Sequence, residues 1–351
     1  MEAHAGKIPV FDPGLTLPTV YFRIAARGSP EASRAPALER LLARAGRPSS
    51  AAVWRTEAFR AIAADGADPP PIAVAQLRAG GDVGRYGWVA VATPVHLVAG
   101  MSTVHLAADG ILDIDASEAD RLAEDFNRSF GNGGARLTRG LGSGLLCVFD
   151  APLEADTTPP EEALGGDVWA YQPRGKGSAG LRRLASEIEM WLFDHPVNAT
   201  RRTRGVPVIS GLWLWGGGAG DAAALPVVAG WTAGDDALFS AFHRRLQYPP
   251  AADPSPAASG SARSAAPARS GVVVIASWPG TTAWRETEQR WLTPALKDLK
   301  AGRLERIEIS AAAISFHLSA RGLLKFWRRS RPWWESFGIE ASPREDTRLG
   351  N

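Results

Sequence analysis

The sequence predicts a layered α/β fold with a smaller α+β subdomain inserted into it. Three observations carry that expectation. Runs rich in β-branched and aromatic residues, LPTVYFRIAA at 17–26 and SGVVVIASW at 270–278, are each followed by segments with apolar residues at helical spacing, the alternation of a layered α/β unit. Residues 86–150 instead set several strand-like runs around a single helix. The composition, 45% hydrophobic and 22% charged over 351 residues, is that of an ordinary globular protein with a sizeable core.

Taken in order, LPTVYFRIAA reads as a buried strand, and APALERLLARAG as a helix with Leu38, Leu41 and Leu42 at helical spacing and Gly46 as its stop. A second helix covers Val53 to Ala64, where Trp54, Ala58 and Ile62 share a face, and DGADPPP at 65–71 breaks it. Strand-like runs YGWVAVATPVHLV and MSTVHLAA follow. A helix comes next, with Ser117 as N-cap, Asp120 at N3, and Leu122, Phe126 and Phe130 at successive i, i+4 positions. GLLCVFDA returns as a strand. The helix SAGLRRLASEIEMWLFDH starts at 178 and buries Leu181, Leu184, Ile188 and Leu192; Pro196 stops it and pushes His195 out of helical geometry.

VPVISGLWLWGGGAGD then reads as a buried strand running into a glycine loop, LPVVAGWTAG as a strand turning at glycine, and DALFSAFHRRL as a helix. Residues 249–270 have no apolar side chain larger than alanine apart from prolines and read as a disordered Ala/Ser/Pro linker. SGVVVIASW restarts the core, and WRETEQRWLTPALKDLKAG is a helix restarted at Pro294 with Thr293 as cap. LERIEIS and AISFHLS alternate with period two as a hairpin, and GLLKFWRRSRPWW closes the chain. The organisation expected is core at 1–82, inserted subdomain at 83–165, and second part of the core at 166–351.

Composition excludes several function classes. Thirty-nine basic against thirty-seven acidic residues leave a net charge of +2, too balanced for a nucleic-acid or membrane binder driven by bulk charge. One cysteine excludes an intramolecular disulfide and a cysteine-rich zinc site. Six scattered histidines, His4, His96, His105, His195, His243 and His317, offer little to a metal centre. Thirteen tryptophans are the compositional oddity. The start, MEAHAGKIPVFDPG, lacks the basic leader and apolar run of a secretory signal, and no apolar stretch reaches the length of a membrane span, so a cytoplasmic location is expected.

The most distinctive string is DHPVNATRRTRGVPVISGLWLWGGGAGD at 194–221. A helix end delivers His195 and Asn198 to a turn, and Arg201 and Arg204 could hold a phosphate or carboxylate through paired guanidinium N–H groups. Gly216, Gly217 and Gly218 could present backbone N–H groups to the same anion. The alternative is that His195 and Asn198 cap the helix and the arginines solvate a turn. Other chemistry-bearing residues are His96 and His105, which could face one another across strands, and Asp113 and Asp115, two apart. Cys147, in LLCVF, is a core residue. Lys325, Arg328, Arg329 and Arg331, interleaved with Phe326, Trp327, Trp333 and Trp334, read as a packed terminal element with a basic rim.

The 194–221 string resembles the HPVN…R..RG…W..GGG signature of a bacterial family known as the RpfE-type regulatory or phosphoglycerate-mutase-like proteins. It is also similar to the corresponding segment of archaeal-type cofactor-independent phosphoglycerate mutases. TPVHLVAGMSTVHLAADGILDIDASEADRLAEDFNRSF resembles the family's insertion region, and KFWRRSRPWW its Arg-rich terminus. Ser210 and Trp215 depart from the pattern, where relatives have Asn and the archaeal mutases Arg. The resemblance implies an alkaline-phosphatase-like core, helices on both faces of a mostly parallel sheet, carrying an inserted cap. By motif position it implies that His195, Asn198, Arg201, Arg204 and Gly205 lie at a cleft.

Catalysis in that superfamily rests on two divalent ions held by Asp and His beside a Ser or Thr nucleophile. Near the first strand only Asp12 is available, and VVVIASWPGTTAW has neither Asp nor His; His243 and Asp253 are the remaining offers. No metal or other cofactor is therefore expected, with manganese or zinc entering only if the chain is an active mutase or phosphotransferase. The expected function is binding of a small phosphorylated or carboxylated ligand, or of a regulatory protein partner, with neither membrane nor nucleic acid as partner. Trp213, Trp215, Trp278 and Trp284 are expected to line strand ends where a catalytic cleft would be polar.

Overall fold

The computed structural model describes residues 19–25, 34–82, 84–220, 225–234, 236–242, 270–275 and 281–339, the side chains of 281–283 excepted. Asp12, His243, Asp253, Trp278 and all but the last residue of the expected 249–270 linker lie outside the described residues. The first half carries β1 (Thr19–Ile24), α1 (Pro36–Arg44), β2 (Ser49–Ser50), α2 (Trp54–Ile62), α3 (Ile72–Ala79), β3 (Trp88–Ala99), β4 (Val104–Ile111), α4 (Ala116–Phe130), β5 (Ala135–Arg139) and β6 (Leu145–Phe149). The second carries α5 (Ser178–Phe193), α6 (Pro196–Thr203), β7 (Gly211–Gly218), β8 (Trp231–Gly234), α7 (Ala237–Ser240), β9 (Gly271–Ile275), α8 (Thr281–Thr287), α9 (Thr293–Lys300), β10 (Arg306–Ala311), β11 (Ile314–Ser319) and α10 (Trp333–Ser336).

The first sheet is six-stranded in the order β2-β11-β10-β1-β9-β8. Its strands β8, β9, β1 and β10 run parallel, and β11 and β2 complete one side antiparallel. Side chains alternate across β1 as the pleat requires. Val20, Phe22 and Ile24 pack with α1, α9, Trp284 and Trp333, while Tyr21 turns to the opposite core with Ala58, Phe59 and Ile62 of α2 and Leu238 and Phe239 of α7. Helices therefore cover both faces of a mostly parallel sheet.

The second sheet is antiparallel, in the order β4-β3-β6-β5, with β7 also paired to β3. Leu122 and Phe126 of α4 and Leu181, Ile188 and Leu192 of α5 bury one of its faces. Here the expected organisation needs correcting. Both α5 and β7 lie beyond residue 165, yet they complete the second sheet and its core rather than the first. Strand propensity at 211–218 was legible, but propensity does not name a partner.

Between the sheets lies α3, on which the sequence reading was silent. Five consecutive residues, Ala73 to Leu77, are buried, because Ala75 faces the first sheet's core while Ala73 and Leu77 face Val89, Leu146 and Val148 of the second. A helix covered all round has no amphipathic period to read. Gln76 ties the two sides, donating from Nε2 to the carbonyl of Ala237 and to Ser240 Oγ (2.8 Å) and accepting from the N–H of Leu141 (3.2 Å).

Three local expectations also change. The N-cap of α4 is Asp115, not Ser117: its carboxylate accepts from the N–H of Glu118, and the Glu118 side chain accepts from the N–H of Asp115, a reciprocal capping box. Thr293 does not cap a new helix, because 281–300 is continuous through a π-helical stretch at 288–292. The wider turn absorbs the N–H that Pro294 lacks. Gly216, Gly217 and Gly218 belong to β7 itself, not to a loop after it.

Candidate functional site

The 194–218 motif is resolved in full, and its polar groups are turned inward. His195 takes extended backbone ahead of Pro196 and caps α6, its Nδ1 accepting from the N–H of Val197 at 3.2 Å. Its ring stands edge-on to Trp191, with centroids 4.5 Å apart, and Nε2 is 3.3 Å from Asp125 Oδ2 without hydrogen-bond geometry. Burial lowers its pKa, against the opposing pull of Asp125, so the ring is neutral at pH 7. Asn198 is buried and uses both ends of its amide: Nδ2 donates to the carbonyls of Leu192 and Ile209, and Oδ1 accepts from the N–H of Ile209, all at 2.8 Å. Buried Arg201 donates from Nε to the carbonyl of Pro207 (2.7 Å) and from Nη1 to both oxygens of Glu118 (3.0 Å). Half-exposed Arg204 reaches the same carboxylate at 3.4 Å and Asp115 at 3.6 Å. The arrangement clamps the α5–α6 elbow to the capping box of α4 and to the start of β7.

Nor do the glycines complete an anion cradle beside these residues. Gly216 lies seven positions beyond Ile209, a separation of about 20 Å along an extended strand. Packing explains them: a Cβ at Gly217 would overlap the Trp88 ring and one at Gly218 would overlap Pro71, while Gly216 has φ +62°. Gly217→Ala is accordingly expected to destabilise the protein by about 1–3 kcal/mol through overpacking. The urea midpoint measures this, and an unchanged midpoint would show that Trp88 can move aside.

The other predicted residues also separate. His96 bonds the carbonyl of Val208 (2.9 Å) and His105 the hydroxyl of Thr103 (2.7 Å); in register His105 opposes Val98, so the two histidines do not pair. Cys147 is fully buried, and burial pushes its thiol pKa far up. Trp284 packs on Trp333 in the first sheet's core, so it lines no cleft. In the terminal element Trp333 is buried, whereas Phe326 and Trp327 are exposed beside Arg328, Arg329 and Arg331.

The charged groups that do converge lie elsewhere, at the carboxyl ends of the parallel strands, where α/β sheets open a crevice. A cleft of about 450 Å³ is lined there by Arg23 from the end of β1, Trp54 and Arg55 from the first turn of α2, and Asp236, the N-cap of α7. The β10–β11 turn adds Ala312 and Ala313, with Ala312 at φ +46°. Glu161, Glu162 and Tyr171 come from the segment joining β6 to α5. A contiguous hollow of about 270 Å³ extends past Trp54 and Glu162 to Trp215 and Gly216 of β7. The volume suits a small-molecule site.

Five charged side chains line this cleft, and three of them are satisfied. Arg55 donates from Nε to Asp236 (2.9 Å) and from Nη2 to Glu161, and lies over the rings of Trp54 and Trp215 at 4.8 and 5.5 Å. Burial works against its charge, but Asp236 and Glu161 outweigh burial and hold its pKa above the ordinary value. Among the described residues Arg23 has no such partner. Its guanidinium sits 5.1 Å over Trp54, and Nη1 is buried without a hydrogen bond. Burial first, then the neighbouring charge of Arg55, pushes its pKa down to about 10. Glu162 is likewise without a side-chain partner among the described residues, and its pKa is raised by burial and then by Glu161.

These residues do not fit a pair of divalent ions. Among the described residues no three His, Cys, Asp or Glu side chains come together as a metal site, and two of the cleft's three carboxylates already serve Arg55. Two guanidiniums line the same cleft, and their charge opposes binding of divalent cations there. The sequence reading missed Arg23, Arg55, Glu161, Glu162 and Asp236. One signal was available: a single cation in the otherwise uncharged strand TVYFRI, on the face opposite Val20, Phe22 and Ile24.

No protein-family model matches the chain. It is distantly similar to cofactor-independent phosphoglycerate mutases. The 2,3-bisphosphoglycerate-independent phosphoglycerate mutase of Methanothrix thermoacetophila is 28% identical over 116 residues, covering 31% of this chain and 29% of that protein. The chain thus matches under a third of the length of that curated relative. Among solved structures, a cofactor-independent phosphoglycerate mutase from Thermoplasma acidophilum is 14% identical, with a TM-score of 0.32 over 87% of this chain and 90% of that one. A protein from Pyrococcus horikoshii is 12% identical, with a TM-score of 0.32 over 89% and 93%.

Proposed function

We propose that this chain is a phosphoglycerate-mutase-like protein of the RpfE regulatory type that binds a small phosphorylated or carboxylated ligand without two-metal catalysis, in the cleft at the carboxyl ends of the parallel strands. The observation that carries this reading is Arg23: a guanidinium in a 450 Å³ cleft, one nitrogen buried and unbonded. A desolvated donor left unsatisfied costs about 1–3 kcal/mol, and an anionic ligand would satisfy it with a charge-assisted hydrogen bond. The His195, Asn198, Arg201 and Arg204 set supports the cleft at a distance, by fixing the second sheet, rather than by touching the ligand. The curated similarity favours one alternative, a metal-dependent mutase or phosphotransferase whose ligands include residues outside those described.

Two measurements decide. Inorganic phosphate or 3-phosphoglycerate at tenfold above Kd is expected to raise Tm by about 2–4 °C. The rise should vanish in Arg23→Met and persist in Arg204→Ala. An unchanged rise in Arg23→Met would remove the site from this cleft. Stoichiometric metal together with turnover of 3-phosphoglycerate in added manganese would favour the alternative.

A further inference from the structure

Arg23 and Glu162 stand out from the other charged groups of the cleft by having no ion-pair partner among the described residues. Arg55, Glu161 and Asp236 form a closed set of ion pairs, and their charge is balanced except for one carboxylate. Arg23 and Glu162 feel one another electrostatically, yet no hydrogen bond or ion pair joins them. They come from different parts of the architecture, Arg23 from the first sheet and Glu162 from the 3-10 turn at Pro160–Glu162 that follows β6 of the second. The space between them belongs to the same cleft.

Two unpaired opposite charges that line one cleft without meeting describe a ligand's polarity. An anion on Arg23 alone would add negative charge to a wall that already holds three carboxylates against two guanidiniums, with exposed Glu162 at its rim. Resting on the anion-site reading above, we infer that the ligand is a zwitterion: a small amino-acid-like molecule whose carboxylate or phosphate pairs with Arg23 and whose ammonium pairs with Glu162. Burial and then the adjacent Glu161 disfavour the bare Glu162 carboxylate, and a positive charge placed against it would offset that cost. Trp54 and Trp215, along the contiguous hollow, would cover the ligand's carbon frame.

Matched ligands test this by isothermal titration of the full chain. Alanine, lactate and propionate share one frame and differ in bearing ammonium, hydroxyl or hydrogen on C2. The phosphate esters of serine, glycerate and 3-hydroxypropionate do the same with a second acid group. In one series or the other the ammonium compound is expected to bind at least tenfold more tightly than the hydroxyl and hydrogen compounds. Glu162→Gln should erase that preference while inorganic phosphate still binds, and Arg23→Met should abolish binding of every member. Equal affinities across both series, a preference for hydroxyl, or a preference that survives Glu162→Gln would overturn the zwitterion while leaving an anion site at Arg23 intact. If neither series nor phosphate binds wild type, both the zwitterion and the anion site are overturned. Circular dichroism and the urea midpoint of each variant report whether it is folded.

Discussion

Arg201→Ala is expected to lower the stability of the protein by about 3–5 kcal/mol, enough to shift the urea midpoint visibly and to leave a population that unfolds at moderate temperature. The arginine is buried, 4% exposed, with Glu118 at 7%. Removing it leaves a carboxylate facing no guanidinium except the half-exposed Arg204, and frees the carbonyl of Pro207. The damage extends further than one pair, because Glu118 is also N3 of the α4 capping box. Arg201→Ala/Glu118→Gln, which removes the charge but keeps the side-chain acceptor, is expected to recover part of the loss, since an unpaired buried charge is worse than none. A stable Arg201→Ala variant that loses phosphate binding would reverse the assignment and put the motif at the ligand.

That prediction turns on a distinction that sequence alone could not make. A string such as HPVN…R..R reads equally as a ligand site or a clamp, and the answer depends on whether a carboxylate waits opposite. Glu118 is 83 positions from Arg201 in the chain. What was legible was local: the β-rich run of β1, the β10–β11 hairpin, the Leu122 and Phe126 stripe of α4, and the displacement of His195 by Pro196. The rest needed topology. α3 was illegible because burial on every side erases periodicity, and the place of β7 in the second sheet because its partner β3 is set by long-range pairing. The cleft was illegible because Arg23, Arg55, Glu162 and Asp236 meet only when parallel strands end on one side of a sheet. Even the N-cap of α4 was misplaced by two residues, since Asp115 and Ser117 have the same local signature and only Glu118 distinguishes them.

Arg55→Met is expected to destabilise by about 3 kcal/mol, and Arg23→Met, at the same Trp54 ring, to stabilise by about 1–2 kcal/mol. The opposite signs follow from partners, not from burial, which both share. Arg55 neutralises Asp236, whose side chain is 3% exposed, and Glu161 at 22%; without it two carboxylates stay in the cleft with only Arg23 to face them. Its folded pKa lies above the unfolded one, so its contribution is fully present below the ordinary arginine value and is lost only as pH climbs through the raised value. The Arg55→Met deficit should therefore be flat across about pH 6–9. Arg23 has the reverse linkage. Its folded pKa of about 10 is depressed, so the penalty for its charge is complete at neutral pH and fades as pH rises through 10, where wild type gains on Arg23→Met. Urea denaturation of both variants at neutral pH measures the signs. The two effects should not add, because each arginine raises the electrostatic cost of the other. If Arg23→Met proved destabilising, the residue would be a structural cation with a partner in the fold. If it is stabilising and at the same time abolishes ligand binding, the protein keeps an unfavourable charge at the end of β1 because the ligand requires it.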